Sequence, residues 1–456
     1  MKLRSLLAVT LLPLAVPSAA TVHASDAAVT LVGVGEIPGT ALDKSGLAGE
    51  LICRVDDLTS CIDQATLGGF GSGLAYTGFN GVFLAVPDRG PFDGRTNVPY
   101  LDRFHFLHID TKVGAAFPNI KTTLLDTRFL MRGRHSFVGD SSDFGRRLDP
   151  EGVSVGILGT FFVSDEYGPY INEFLPTGHR LRHIRVPDKF LIENASGDVD
   201  SEGNSLELYP SFNTSGRQAN RGMEGLAITP NGRYLIGMMQ NALIQDNGLN
   251  ASTPPGRRGL NNRILKIDLI TGRTREYVYT VDAINQGRGV NEILAINSHE
   301  FLVLERDNRS RVPTPPNTAQ TPNLKRIYRI DLNGASDVSD VESLPETGAE
   351  LAPAGLVPVT KSLFIDLLDP SYLVNATQTI KDVIAEKMEG LAWGPDLADG
   401  RHLLYVISDN DLSPGRPTQI YGFAIDGSPT GANFDLEREH VLLPMYPPGL
   451  VKKGLK

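Results

Sequence analysis

The sequence predicts an all-β fold: a single-domain β-propeller built from four-stranded blades. Three observations predict it. A Gly-turn followed by a short apolar strand recurs at Ser72-Gly73-Leu74-Ala75, Glu151-Gly152-Val153, Glu224-Gly225-Leu226-Ala227, Glu292-Ile293-Leu294-Ala295 and Glu389-Gly390-Leu391-Ala392. Each opener leads into further short, alternating segments separated by turn residues, four to a unit. With 47 Gly and 30 Pro in 456 residues, turns are frequent and long helices few.

Residues 29–37 precede the first unit and read as a strand. They suit the closing position beside the last blade, because an open ring would expose a sheet edge. The first unit continues from Gly73 through 82–88, 103–110 and 122–126. The second runs from Glu151 through 161–166, a weaker copy at 170–178, and 181–186. The third follows Glu224 with 234–241, 263–268 (turned by Thr271-Gly272) and 275–281. The fourth follows Glu292 with 301–307, 326–331 and 362–367. The fifth follows Glu389 with 403–411, 419–426 and 439–443. Five units can be counted, and 343–358 leaves room for a sixth. The openers recur at intervals longer than the roughly 40–50 residues of compact blades, so loops are inserted, as at 253–259 and 312–322. A β-sandwich would explain the alternation but not the returning opener.

Residues 1–24 read as an export signal, leaving 25–456 as the propeller domain. Lys2 and Arg4 precede an apolar stretch at 6–16, and Val22-His23-Ala24 fits the small-x-small cleavage pattern. The stretch is short for a bilayer span, and Pro13 and Pro17 interrupt it. The expected product is exported, periplasmic or extracellular, without a membrane span after cleavage, and a monomer. Cys53 and Cys61 enclose residues 54–60. An oxidising compartment favours a disulfide between them, the alternative being two free buried thiols. Lys+Arg 43 against Asp+Glu 53 gives a net charge of −10, which argues against nucleic acid as a partner and against a basic membrane-docking surface.

Propeller geometry turns the repeat into a site. The first strand of each blade lines the channel and the second runs antiparallel to it, so the start of one and the end of the other share a mouth. The starts carry Glu151, Glu224, Glu292 and Glu389. The ends carry Asp88-Arg89, Asp165-Glu166, Gln240-Asn241, Glu305-Arg306-Asp307 and Asp409-Asn410-Asp411. So many carboxylates repel unless solvated, protonated, paired with Arg or neutralised by a metal. Hard oxygen ligands without Cys or His match Ca²⁺ better than Zn²⁺. The plainer alternative is that Glu-Gly pairs are turn chemistry and that the interleaved Arg89, Arg221 and Arg306 staple blades together. A His-Glu-x-x-His pair, a Walker loop and a dinucleotide fingerprint are all absent from the sequence.

Longer stretches around these residues resemble the phytase-like domain family, described by the esterase-like activity of phytase, in its exported bacterial propeller form. They are Ser72-Gly73-Leu74-Ala75 with Val86-Pro87-Asp88-Arg89-Gly90-Pro91-Phe92, and Asp149-Pro150-Glu151-Gly152 with Val163-Ser164-Asp165-Glu166. Asn220-Arg221-Gly222-Met223-Glu224-Gly225-Leu226-Ala227, Leu302-Val303-Leu304-Glu305-Arg306, and Ile407-Ser408-Asp409-Asn410-Asp411 with Pro414-Gly415-Arg416-Pro417-Thr418-Gln419 extend it. The resemblance implies an exported propeller with ester or phosphoester hydrolase activity. Glu389-Gly390-Leu391-Ala392-Trp393 is also similar to the opening motif of calcium-dependent lactonase propellers, where the equivalent Glu binds metal.

The leading expectation is therefore a metal-assisted hydrolase acting on a small anionic substrate. Glu151, Asp165, Glu224, Glu389 and Asp409 would hold Ca²⁺, and Arg89, Arg221 and Arg306 would orient the anion. Glu166 or Glu305 would activate water. A calcium-dependent lactonase or arylesterase, and a ligand-binding propeller without turnover, are the alternatives.

Overall fold

The computed structural model describes residues 29–92, 99–168, 170–201, 204, 206, 212–249, 258–282, 289–312, 319–426, 434–438 and 445. Residues 1–24, expected as the export signal, and 439–443, expected as a last strand, lie outside this set.

Five antiparallel four-stranded sheets account for the repeat. Blade 1 comprises Gly73–Phe79, Val82–Val86, Arg103–Thr111 and Ile120–Phe129. Blade 2 comprises Pro150–Val155, Phe161–Asp165, Tyr170–Phe174 and Arg180–Ile184. Blade 3 comprises Met223–Ile228, Tyr234–Met239, Asn261–Asp268 and Thr274–Thr280. Blade 4 comprises Gly289–Ala295, Glu300–Arg306, Lys325–Asp331 and Thr360–Asp366. Blade 5 takes Lys387–Trp393, His402–Asp409 and Thr418–Ile425 from the end of the chain and Val29–Ile37 from its beginning.

That last pairing, in register from Val29 opposite Ile425 to Ile37 opposite Thr418, closes the ring as the sequence predicts. Asn119 ties the clasp to blade 1: its backbone N–H donates to Val34 O at 2.9 Å, and its side-chain oxygen accepts from Val34 N at 3.0 Å. The first strands of the five blades touch their neighbours in one closed cycle. Among the described residues the ring has five blades, and 343–358 does not form a sixth. That segment instead folds over blade 3, burying Leu344 and Leu351 against Val278.

Five hydrophobic clusters fill the five gaps between successive blades. Phe83 and Leu107 of blade 1 meet Tyr405 and Ile407 of blade 5, for example. Each sheet is thus covered on both faces. This is why strands such as Val82–Val86 are buried at every position instead of alternating. The Cys53–Cys61 disulfide joins two short paired strands, Leu51–Cys53 and Cys61–Asp63, in the segment leading into blade 1.

The opener glycines do not sit at turns, contrary to the sequence reading. Gly73, Gly152, Gly225 and Gly390 lie inside the first strands. A Cβ on Gly152 would stand 2.4 Å from Leu226 N, and one on Gly225 2.6 Å from Ile293 N. The requirement is close approach of neighbouring backbones around a narrow channel.

Candidate functional site

A bulge re-aims the acidic openers. Along the first strand of blade 3, Met223 pairs with Met239 and Gly225 with Met238, leaving Glu224 as the extra residue. Blade 5 repeats this, with Glu389 between Met388 and Gly390, and in blade 2 the shift falls between Pro150 and Val153, around Glu151. A bulged residue leaves the ladder and its side chain is redirected. In blade 4 the register shifts between Val290 and Glu292, so the bulged residue is Asn291. The opener read there as Glu292-Ile293-Leu294-Ala295 is displaced by one residue. Glu292 takes the place of Gly225, and its Oε1 accepts from Leu226 N at 3.1 Å and Ile293 N at 2.9 Å. Its Oε2 has no partner among the described residues, and burial pushes its carboxyl well above the usual range.

The same registers align the ends of the second strands. Asp165 and Glu305 stand opposite Pro150 and Val290, and the residues that follow them, Glu166 and Arg306, reach the mouth. Gln240 and Asp409 hold the equivalent places in blades 3 and 5.

At the mouth, Asp149, Glu151 and Glu166 are buried, and each offers an oxygen within 4.8 Å of the others. Arg89 of blade 1 faces this trio. Its Nη1 pairs with Asp149 Oδ2 and stands 3.4 Å from Glu166 Oε2. The Arg89 backbone N–H donates to Asp149 Oδ1 at 3.0 Å, and Gly222 N donates to Glu166 Oε1 at 3.1 Å. The carboxylates of Glu151 and Glu224, residues 6% and 4% exposed, make no hydrogen bond or ion pair among the described residues. Burial raises both carboxyls well above their usual range; Glu224 adds to this at Glu151, and Glu166 at Glu224. Asp149 is raised for the same first reason, against the pull of Arg89.

Next to Glu224, Arg221 donates to Gln240, and burial lowers its pKa. Arg306 pairs with Glu389 at 2.5 Å and donates to Asn308 at 2.7 Å; burial pulls its pKa down, but Glu389, with Glu224 and Glu386, keeps this guanidinium raised. Asn291 donates to the same Glu389 oxygen at 3.4 Å. The side toward blade 1 is neutralised from within. Lys387 stands 2.5 Å from Asp411, 3.3 Å from Asp409 and 3.9 Å from Asp88. Against burial, these carboxylates hold Lys387 well above its ordinary value, and Lys387 holds Asp411 low.

The structure therefore brings together Glu151, Glu166, Glu224 and Glu389 with Arg89, Arg221 and Arg306. Asp409 lies in the adjoining Lys387 cluster. Asp165 and Glu305 do not join them. The Asp165 carboxylate accepts from Asp149 N and Tyr167 N, both at 3.1 Å. Glu305 accepts from Tyr279 and Lys361, each at 2.5 Å, and from Asp282 N at 3.2 Å, in a cluster between blades 3 and 4. Both stand one residue before the mouth, and alternation turns them to the other face.

Sequence reasoning missed Asp149 and Asn291. The apolar residue before the bulge carries the signal for the latter: Val290-Asn291 aligns with Met223-Glu224 and Met388-Glu389. Asp149 stands two residues before Glu151, as Lys387 does before Glu389, and only the fold shows that this position also reaches the mouth.

The model of the phytase-like family, described as esterase-like activity of phytase, matches residues 65–412. An uncharacterized secreted protein of Arthroderma benhamiae is 28% identical over 473 residues, covering 84% of this chain and 86% of that one. Among solved structures, a β-1,3-galactosidase aligns at 10% identity over 86% of this chain and 99% of its own, with a TM-score of 0.40. Regucalcin, a calcium-binding protein from Agrobacterium tumefaciens, aligns at 10% identity over 82% and 92%, with a TM-score of 0.30. Among the described residues no helix is long and apolar enough to cross a membrane.

Proposed function

The chain belongs to the phytase-like family, and from that premise we propose that it is an exported hydrolase of phosphoesters or carboxylic esters, acting on a small anionic substrate at the acidic mouth with the help of Ca²⁺. One observation carries the reading: the buried trio Asp149, Glu151 and Glu166, with Glu224 beside it and without a counter-ion of its own. The donors are all carboxylate oxygens, the set that a hard divalent cation takes. The trio would hold the cation. When bound, Ca²⁺ would supply polarisation of the ester oxygen and acidification of a water.

The rest falls to the chain's own groups. Arg221 and Arg306 flank the mouth and would orient the anion through charge-assisted hydrogen bonds. Of the two carboxylates expected to activate water, Glu166 is at the mouth, whereas Glu305 is engaged elsewhere by Tyr279 and Lys361. Glu224, outside the trio and with no hydrogen bond to its carboxylate among the described residues, would accept the water's proton. The apolar leader in the sequence and the similarity to a secreted protein support export.

The test is a side-by-side assay of phytate, p-nitrophenyl phosphate, p-nitrophenyl acetate and a γ-lactone, with Ca²⁺ and with EGTA. Calcium-dependent turnover of one of the first three is expected. Turnover of the lactone alone would favour the lactonase alternative, and no turnover of any substrate with Ca²⁺ restored would leave a binding propeller.

A further inference from the structure

The channel has a second end. Ala295 and Trp393 finish the first strands of blades 4 and 5, away from the acids at the strand starts. Trp393 follows Glu389 on one strand, which places it roughly 13 Å further along. A cavity of about 270 Å³ opens here. Pro230, Leu294, Ala392, Trp393 and Pro395 give it apolar walls, and Tyr76 of blade 1 adds a second aromatic ring. An apolar cavity of about 150 Å³ takes one benzene, so this one has room for a polycyclic hydrocarbon body.

The walls and rim are held in place. Trp393 Nε1 donates to Ala295 O at 2.8 Å, and Phe434 braces the indole edge-to-face with ring centres 5.7 Å apart. The rim comes from the segment that follows Phe434. Glu437 N donates to Ile296 O at 2.9 Å and Arg438 Nη1 to Gly394 O at 2.8 Å, which pins this segment across blades 4 and 5. Arg438 also pairs with Asp396, whose Oδ1 lies 2.7 Å from His402 Nδ1. The Arg438 and Asp396 charges offset each other. Glu437 is left over: it is exposed at the cavity, and its carboxylate makes no hydrogen bond or ion pair among the described residues. Two aromatic rings and an uncommitted carboxylate both favour a positive charge carried on an apolar body.

We propose that this second end of the channel is a binding site for an amphipathic organic ammonium ion, its hydrocarbon body in the cavity and its nitrogen beside Glu437 and the aromatic rings. An anionic ligand would meet Glu437 and Asp396 with only Arg438 to offset them. A neutral ligand would gain the burial of its apolar surface without the charge interactions. The site does not rest on the hydrolase reading, since Asp149, Glu151 and Glu166 form no part of its walls.

Trp393 is the only tryptophan in the sequence, so intrinsic fluorescence of the full chain reports on this cavity. The probes are three adamantane derivatives of one shape, transparent where indole absorbs: 1-adamantylammonium, 1-adamantanol and adamantane-1-carboxylate. The ammonium should shift the Trp393 emission and bind about ten-fold tighter than the alcohol, the combined effect of a cation–π contact and a partly exposed ion pair, with the carboxylate weakest. Glu437→Gln should bring the ammonium to the affinity of the alcohol and leave the alcohol unchanged. Ca²⁺ should not compete, because the acids at the other end take no part. An ammonium that binds no tighter than the carboxylate, or that leaves the emission unmoved at millimolar concentration, would overturn the proposal. So would displacement by Ca²⁺, which assigns the probe to the acidic mouth instead, or a folded Glu437→Gln that keeps the full preference.

Discussion

Replacing Gly152 by Ala places one methyl group where two inner strands meet, and the structure sets the size of the penalty. The added Cβ would lie 2.4 Å from Leu226 N, 2.7 Å from Glu224 O and 2.8 Å from Leu226 Cβ. Two of these are backbone atoms of the next blade's first strand, so no side chain can rotate away. Reaching ordinary contact requires the strands to part by roughly 1 Å, and forced overpacking costs about 1–3 kcal/mol. Backbone neighbours put Gly152→Ala at the top of that range, about 3 kcal/mol. With an unfolding entropy of about 2.1 cal/mol/K per residue over roughly 400 residues, this lowers Tm by about 3–4 °C. Thermal unfolding followed by circular dichroism reads it. Gly415→Ala is the control, since apart from its two sequence neighbours the nearest atom to an added Cβ is Ser413 Oγ at 4.0 Å. Because the same movement shifts Glu151 relative to Asp149 and Glu166, Ca²⁺ binding should weaken as well. A Gly152→Ala protein that melts with the wild type would refute the close-approach account of the opener glycines.

Two further outcomes follow from the placement of charged groups. Glu151→Gln should weaken Ca²⁺ binding in calorimetry, whereas Glu305→Gln should leave it unchanged and lower Tm, because Lys361 and Tyr279 lose a buried charged partner; equal effects on calcium would contradict the assignment. His105 is buried against Thr127 at 3.0 Å, and burial lowers its pKa to about 4. The unfolded chain, near the ordinary histidine value of 6.5, then binds more protons between pH 6.5 and 4, so this group removes up to about 3 kcal/mol of stability as pH falls through that window. Asp165, raised to about 6 chiefly by burial, works in the opposite direction between about 3.8 and 6. His105→Gln should therefore lose less Tm than the wild type on acidification, and parallel Tm–pH curves would exclude it.

The sequence by itself determined the ring. Strand alternation, turn chemistry and the returning opener are local, so they survive without knowledge of neighbours, and even the closing role of Val29–Ile37 follows from the need to cover an edge. It also determined that acids and arginines gather at one mouth, because antiparallel pairing puts strand starts beside strand ends. Only the tertiary structure decided which of them face it. A side chain's direction changes with every residue, and a bulge inserts one residue without altering the apolar pattern. That single step moved the opener of blade 4 from Glu292 to Asn291, and it separated Glu166 and Arg306 from Asp165 and Glu305. Asp149 and Arg89, far apart in the chain, became partners through the packing of blade 1 on blade 2, a contact that no local pattern encodes.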